Sequence, residues 1–260
     1  MFKPLTTFKY APLALLLITS GVQAKTINKE FPVDQGGLLT IDTDVGAIEI
    51  DTHSKNTALI EVTIKGSNED NMQVDFENSA NKISIKGEYE RSGFGFSNNH
   101  IRVTYKVTLP QDYNIDLNTS GGSIEIEDLT GKVEAYTSGG SISLEDMQGD
   151  MDIKTSGGSI NLENIIGSID AKTSGGSIKL KLAKTPTKDS TIKTSGGSIS
   201  AYLAKDIAVD LFAKTSGGRV RSEFNVEGEI KKQLIDGTIN GGGPKLVLKT
   251  SGGSVRIKHL

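Results

Sequence analysis

Apolar and polar residues alternate along most of this chain, with a period of two rather than the period of three to four that marks a helix. The alternation is clearest after a recurring pair of glycines, where Ile124 and Ile126, and later Ile142 and Leu144, are separated by polar residues. The same spacing returns before the glycines, as in residues 133–135. Alternation over short runs is typical of half-buried strands, and no window sustains helical spacing. The pattern therefore predicts an all-β fold.

A hexapeptide, Thr-Ser-Gly-Gly-Ser-Ile, recurs through the second half of the chain. Its copies, including the variants TSGGRV and TSGGSV, begin at Thr119, Thr137, Thr155, Thr173, Thr194, Thr215 and Thr250. The spacings are 18, 18, 18, 21, 21 and 35 residues; the longest contains a degenerate copy at 240–243, and an early echo occupies 43–48. A fixed period near 20 residues is the signature of a solenoid. No repeat has room for a helix, which argues against the leucine-rich type.

Each repeat predicts a strand, a Gly-Gly corner, a second strand and a second corner at Gly131, Gly149 or Gly167. Glycine suits such corners because it takes positive φ without steric cost. A single coil cannot bury its own apolar face, so coils must stack, with equivalent residues in ladders about 4.8 Å apart. We predict a single-stranded β-solenoid (β-helix) of about six to eight coils of 18–21 residues.

The region 25–117 is less regular, but it also alternates like strands. The five predicted strand segments are Leu38–Asp42, Ala58–Lys65, Met72–Phe76, Lys82–Lys86 and Ile101–Leu109. Residues Glu88–Asn99 are predicted to form a mobile loop. We expect this region to begin the solenoid and to cap it, because a bare sheet edge recruits other chains. The predicted division is 1–24, a signal peptide; 25–117, an N-terminal β region; and 118–260, the repeat solenoid.

Residues 1–24 have the pattern of a cleavable signal peptide. Lys3 and Lys9 precede the apolar run 11–18, and small residues at Val22 and Ala24 predict cleavage before Lys25. The run is shorter than the roughly 20 residues of a membrane span, and no second run exists. The sequence thus predicts an exported protein, periplasmic or secreted to the cell surface, that is soluble after cleavage.

Composition excludes several kinds of chemistry. The 260 residues carry a formal net charge of −3, and cysteine and tryptophan are absent. Disulfides, thiolate zinc sites and a cysteine nucleophile are therefore excluded, and nothing favours binding to nucleic acid. The histidines His53, His100 and His259 are scattered, and the acidic residues recur with the repeat rather than forming one cluster. We therefore predict no catalytic residues, no cofactor and no metal site.

Three features together resemble the bacterial DUF4097 family, also called the "putative adhesin" domain. They are the TSGGSI and TSGGSV copies, the segment Phe31–Val33 with Gly36–Leu38 after it, and the segment Ile239–Pro244. The resemblance extends from about Lys25 to Leu260. It implies a β-helical exported protein with an adhesive role, and it implies no catalytic residues.

One lysine precedes the threonine in five of the repeats. These residues are Lys154, Lys172, Lys193, Lys214 and Lys249, and we call them the lysine ladder. If the coils are in register, they form a row that attracts an anionic polymer such as an acidic glycan, unless it is simply a solvated face. Asp152 and Asp170 lie two residues earlier on the same face and could compensate part of the charge.

A second outer row holds Glu127, Glu145 and Glu163, with Asp128, Asp146 and Asn164 beside them. Stacked carboxylates are potential calcium ligands, but the nonapeptide of calcium-binding β-rolls is absent. The leading hypothesis is therefore a non-enzymatic adhesin-like binding module of the cell envelope, whose partner is an envelope protein or an anionic glycan. The alternatives are a periplasmic structural or regulatory partner protein and, third, a carbohydrate-active β-helix enzyme.

Overall fold

The structure, a computed structural model, describes residues 24–66, 69–90 and 101–260. The predicted signal peptide up to Gln23 and residues 91–99 of the predicted loop lie outside this range. The strands are β1 (Lys25–Pro32), β2 (Gly37–Thr43), β3 (Ala47–His53), β4 (Thr57–Lys65), β5 (Met72–Ser79), β6 (Lys82–Tyr89), β7 (Arg102–Pro110), β8 (Tyr113–Thr119), β9 (Ile124–Glu127), β10 (Val133–Thr137), β11 (Ile142–Gln148), β12 (Met151–Thr155), β13 (Ile160–Ile166), β14 (Ile169–Thr173), β15 (Ile178–Leu182), β16 (Ser190–Thr194), β17 (Ile199–Leu203), β18 (Val209–Thr215), β19 (Val220–Ser222), β20 (Glu227–Lys231), β21 (Leu234–Ile239), β22 (Lys245–Thr250) and β23 (Val255–His259). One short 3₁₀ helix covers Glu69–Asn71.

Two long, largely parallel sheets face each other across one hydrophobic core. Sheet A has the order β1-β4-β7-β3-β9-β11-β13-β15-β17-β23-β19, and sheet B has the order β20-β21-β18-β22-β16-β14-β12-β10-β8-β2-β6-β5. Each coil gives one strand to each sheet. The predicted all-β solenoid is confirmed.

The alternation read from the sequence sets which residues enter the core. Ile142 pairs with Ile160, and Leu144 pairs with Leu162, in the parallel register of β11 and β13. All four side chains are buried, whereas the residues between them face solvent or are half-buried. Because neighbouring coils bury equivalent side chains, the core is a continuous column of aliphatic residues.

The hexapeptide holds neighbouring coils together through its buried threonine. The Thr155 hydroxyl donates to the carbonyl oxygen of Gly140 in the preceding coil at 2.8 Å, and it accepts from the amide of Gly158 at 3.2 Å. The same donor arrangement recurs at every copy of the hexapeptide. A buried hydroxyl needs such partners, because an unsatisfied polar group inside a protein is costly.

The fourth and fifth residues of the hexapeptide are also fixed by stacking. A Cβ on Gly158 would collide with the backbone carbonyl of Gly140 one coil below. The Ser159 hydroxyl accepts from the amide of Ser177 in the next coil at 3.3 Å, and equivalent serines repeat this contact. The coils therefore approach closely at this corner only because the fourth residue of the hexapeptide has no side chain.

The second corner combines two residues with positive φ. Gly131, Gly149 and Gly167 have φ of 152°, 140° and 147°, as the corner prediction requires. Asp128, Asp146 and Asn164, three residues earlier, have φ of 57°, 54° and 54°, which was not predicted. Aspartate and asparagine tolerate this left-handed conformation better than most residues.

The order of the coils departs from chain order at both ends. The coil β2–β3 lies between β6–β7 and β8–β9, and the last coil, β22–β23, lies between β16–β17 and β18–β19. Nine coils result among the described residues, so the prediction of six to eight was low. They are β6–β7, β2–β3, β8–β9, β10–β11, β12–β13, β14–β15, β16–β17, β22–β23 and β18–β19.

Antiparallel strands cover both ends of the stack. At one end β1 pairs with β4, β4 with β7, and β5 with β6; at the other end β21 pairs with both β18 and β20. The predicted loop begins two residues too early, because Glu88 and Tyr89 still pair with β5. These strands carry many charged residues, which discourages edge-to-edge pairing with other chains.

Candidate binding groove

The structure brings the five residues of the lysine ladder into one row on sheet B. Lys154 pairs in register with Lys172, Lys172 with Lys193, and Lys193 with Lys249; Lys214 follows on the far side of Lys249. The spatial order is therefore 154, 172, 193, 249, 214. This spatial order differs from the order in the sequence because β22 inserts between β16 and β18.

The ladder lines an open groove of about 720 Å³ beside the Gly-Gly corner. We call it the lysine groove. Besides the ladder, its lining consists of Asn118, Tyr136, and the threonines and serines that begin the hexapeptides from Thr137 onward, except Thr215. The groove follows the stacking direction of the coils, so each coil contributes a similar set of groups.

Two lysines of the ladder are neutralised within the chain. Lys154 contacts Asp152 at 2.9 Å, and Lys172 contacts Asp170 at 2.6 Å. The hydrogen bond to Asp152 raises the pKa of Lys154 above its ordinary value. The compensation anticipated from the sequence is therefore present at these two coils.

The other three lysines have no carboxylate at the corresponding position. Thr191, Val247 and Phe212 stand where Asp152 and Asp170 stand in the preceding coils. No ion pair involves Lys193, Lys249 or Lys214 within the described ranges. The Lys249 ammonium lies 4.8 Å from the centre of the Phe212 ring. This end of the groove is thus cationic, with the half-buried side chains of Val247 and Phe212 beside the lysines on the same face of sheet B, whereas the other end is charge-balanced.

A tyrosine occupies the ladder position in the coil before Lys154. Tyr136 pairs in register with Lys154, and the Lys154 ammonium lies 4.9 Å from its ring centre. The Tyr136 hydroxyl donates to Asp152 at 3.0 Å. Burial, and then this hydrogen bond, raise the pKa of Tyr136. Sequence analysis missed Tyr136 and Phe212, although counting from each threonine would have placed both on this face.

The second hexapeptide residue has no structural task that explains it. It is serine in all seven copies, and each of these serines is exposed. Nothing in the described part of the chain bonds to the hydroxyls of the serines in the groove, whereas the backbone amides of Ser138, Ser156, Ser195 and Ser216 donate to threonine carbonyls of neighbouring coils. The row therefore offers free hydroxyl groups alongside the lysine ladder.

The third hexapeptide residue keeps the rim of the groove bare. A Cβ on Gly121 would meet nothing within 4 Å, and one on Gly157 would make only ordinary contact at 3.5 Å. At Gly175 and Gly196 the contacts tighten to 3.2 and 3.1 Å. Steric need thus explains glycine in the later coils but not in the earlier ones, where its effect is to leave the rim open.

The predicted acidic row is also in register, on the opposite sheet. Glu127 pairs with Glu145, and Glu145 pairs with Glu163. Glu163 is bound by Lys179 at 2.7 Å and by Lys181, and these hydrogen bonds lower its pKa to about 2. Within residues 24–66, 69–90 and 101–260, no group of three or more histidines and carboxylates could hold a metal ion.

The histidines do not converge on a site. The His53 ring contacts the carbonyl oxygen of Thr57 at 2.7 Å, and His259 stacks on Phe224 with ring centres 4.2 Å apart. His100 lies outside the described residues. Among the described residues, no helix is long and apolar enough to cross a membrane.

Comparison with solved structures finds matches at low sequence identity. A "putative cell adhesion protein" from Clostridium sporogenes is 14% identical, with 92% of this chain and 100% of that chain covered and a TM-score of 0.41. A "putative adhesin" from Bacteroides fragilis is 14% identical, covering 91% and 97%, with a TM-score of 0.43. A "putative lipid binding protein" from Parabacteroides distasonis is 17% identical, covering 89% and 96%, with a TM-score of 0.45.

Comparison with curated proteins gave no match. The family model "Toastrack DUF4097" matches residues 38–258, which is most of the chain and includes every coil of the solenoid except the end residues Gly37 and His259. The resemblance drawn from the glycine repeats is confirmed: the chain belongs to the Toastrack DUF4097 family.

Proposed function

We propose that this protein is an exported, non-enzymatic binding module whose lysine groove holds a linear anionic polymer, of which an acidic glycan is the class that suits a bacterial envelope protein. The observation that carries this proposal is the lysine ladder, five cations in register along one groove, of which three lack an internal counter-charge. The groove is open rather than enclosed, which suits an extended chain better than a small molecule.

Electrostatics gives the ladder a reason to bind anions. Neighbouring lysines on parallel strands are held about 4.8 Å apart, so their charges repel one another. A ligand that places anionic groups along the row relieves this repulsion at every coil. Each contact is weak by itself, and the repetition supplies affinity through many simultaneous contacts.

The two ends of the groove should contribute unequally. At Lys154 and Lys172 an aspartate already satisfies the ammonium, so a ligand must compete with it. At Lys193, Lys249 and Lys214 no such competition exists, and Val247 and Phe212 offer apolar surface to the ring face of a sugar. We therefore place the stronger contacts at the second end.

The test measures binding of polygalacturonate, a carboxylate polymer, with neutral dextran as the control ligand. The triple variant K193Q/K214Q/K249Q should bind polygalacturonate about 10- to 100-fold more weakly, since three exposed charge contacts contribute about 0.5–1 kcal/mol each. The double variant K154Q/K172Q should lose less than about threefold.

A matched control separates the groove from net charge. The variant K55Q/K65Q/K205Q removes three exposed lysines that do not line the groove, so its net charge equals that of the groove triple variant. It should bind like the wild type. Equal loss in both triple variants, or unchanged binding when all five ladder lysines are glutamine, would overturn the proposal.

Export rests on the sequence of residues 1–24, and compartment is tested separately. Protease treatment of intact cells, compared with cells whose envelope is permeabilised, is followed by immunoblotting for this protein. Digestion on intact cells supports an adhesin-like role at the surface. Protection until permeabilisation favours the periplasmic structural or regulatory role, with a periplasmic polyanion or an envelope protein as the partner.

A further inference from the structure

Across eight neighbouring strands of sheet A, from β3 to β19, the outer face is divided into an acidic half and a basic half. Strands β3, β9, β11 and β13 present only acidic charges on this face, β15, β23 and β19 present only basic ones, and β17 presents no charged side chain. The acidic residues are Glu49, Asp51, Glu125, Glu127, Glu145 and Glu163; the basic residues are Lys179, Lys181, Arg256, Lys258 and Arg221.

In the described part of the chain, the charges of these strands cancel where the halves meet and at Asp51 on β3, which lies 3.6 Å from Lys106 on the neighbouring β7. Glu163 on β13 is bound by Lys179 and Lys181 on β15. Farther out, Glu125 and Glu127 are exposed, as is Arg256, and none of the three has an ion pair in the described ranges. Burial raises the pKa of Glu127, and the nearby carboxylates, Glu125 first, raise it further. Each half therefore carries charge that no ion pair in the described part of the chain neutralises.

The two halves have the same number of strands, and the in-register rows of outer-face residues run across both halves. Counted outward from the boundary, β13 corresponds to β15, β11 to β17, β9 to β23 and β3 to β19. A two-fold axis parallel to the strands reverses the stacking order and preserves position along each strand. Such an axis sets Glu125 opposite Arg256 of a second copy, and Glu127 opposite Lys258 of a second copy.

We propose that this outer face of sheet A is a docking surface for a second copy of this chain. The stacking directions of the two copies are antiparallel, so the acidic half of each copy pairs with the basic half of the other. The interface is isologous, so every charge contact occurs twice, and it closes on itself rather than forming a fibre. It rests on sheet A alone and is independent of the function proposed for sheet B.

The size of this surface sets the strength expected. Eight strands about 4.8 Å apart, with about five residues each on average, cover about 35 Å by 15 Å. This corresponds to about 1,000 Å² of total buried area, the lower end for a specific interface. The association should therefore be weak, detectable at tens of micromolar, and steeply dependent on salt because its charges are exposed.

The arrangement also leaves both lysine grooves accessible. The groove lies on sheet B, whose outer face points away from sheet A across the core. A dimer thus displays two grooves on opposite sides, running in opposite directions. The variant K193Q/K214Q/K249Q should consequently dimerise like the wild type, and dimerisation should be measurable whether or not the groove binds a polyanion.

The test is sedimentation velocity of the protein in about 25 mM and about 500 mM salt. A mass twice that of the monomer at low salt, returning to one monomer mass at high salt, is expected. The variants R256E/K258E and E125R/E127R should each remain monomeric, because each turns one attraction into repulsion. An equal mixture of the two variants should regain the dimer mass, because every acidic row then faces a basic one.

Thermal unfolding checks that both variants remain folded, which is expected because the substituted side chains lie on the outer face. A wild-type monomer at low salt would overturn the proposal. So would a dimer that R256E/K258E leaves intact, or a mixture of folded variants that stays monomeric. Binding of polygalacturonate by the monomeric variants then reports on the lysine groove alone, so failure of one proposal is distinguishable from failure of the other.

Discussion

The middle of the solenoid and its two ends are built from the same kind of coil, but the coils are paired in a different order. From β8 to β17 the coils follow chain order, and each coil after β8–β9 pairs with the coil that precedes it in the sequence. At each end one coil is out of order, with β2–β3 held inside β6–β7 and β22–β23 held inside β18–β19. The first and last coils of the chain therefore have neighbours on both sides, and antiparallel strands form the outer edges of both sheets except at β19, which pairs in parallel with β23. Local repetition is enough to build the middle, whereas the ends depend on pairings between distant segments.

The largest expected effect comes from removing a coil at an end rather than in the middle. Truncation after Pro244 removes β22 and β23 and with them the buried side chains of Leu246, Leu248, Val255 and Ile257. Four such side chains represent about 6–12 kcal/mol of lost burial. It also separates β16 from β18, which have no direct pairing with each other. We expect loss of cooperative unfolding and separate melting of the end segment, measured by calorimetry.

Deletion of residues 155–172 is the matched control, because it removes a coil of similar length from the middle. The deletion joins Lys154 to Thr173 and restores the hexapeptide, so the neighbouring coils can pair with each other. One cooperative transition with a modestly lower melting temperature is expected. If the two deletions melt alike, the ends contribute no more than any other coil and the contrast is lost.

A second effect distinguishes neighbouring glycines within one coil of the middle. In Gly158→Ala the new Cβ collides with the backbone of the preceding coil, which cannot move without breaking the stack. We expect a loss of about 3–5 kcal/mol in the free energy of unfolding, measured with denaturant. In Gly157→Ala the nearest atom is 3.5 Å away, so stability should be unchanged or rise by about 0.5 kcal/mol. Equal losses would mean that close approach of the coils does not set the need for glycine.

The middle was predictable from sequence because every coil repeats the same local solution. The period of two gave the buried faces, and the position of each lysine before its threonine gave the ladder. The ends were not predictable, because the hexapeptides at Thr215 and Thr250 are nearly identical and the strand before either one could pair with β16. What separates them is the antiparallel pairing of Val209 with Ile239, which occupies the far edge of β18. That pairing depends on segments with no repeat to mark them.

The lysines of the candidate groove were predictable from the sequence, but the difference in charge compensation between its two ends was not. The ladder and the two compensating aspartates follow from counting within the repeat. The uncompensated end needed the insertion of β22, because only the structure sets Lys249 beside Lys193 and over Phe212. The division of sheet A into charged halves likewise appears only when the strands are placed in their spatial order.

The smallest effect concerns Glu163, which makes one coil of the middle unlike its neighbours. Its pKa of about 2 lies below the ordinary value of 4.5, because Lys179 and Lys181 bind the charged form. A carboxyl with a lowered folded pKa stabilises the protein above its unfolded pKa, and this contribution disappears as pH falls from about 4.5 towards 2. Glu163→Gln should therefore cost about 1 kcal/mol at pH 7, since both lysines are partly exposed, and almost nothing near pH 2. Urea unfolding at both pH values measures the difference. Glu145→Gln, in register but outside any ion pair of the described chain, should show no such loss at pH 7; an equal loss would indicate that the row as a whole, rather than the pair of lysines, stabilises this coil.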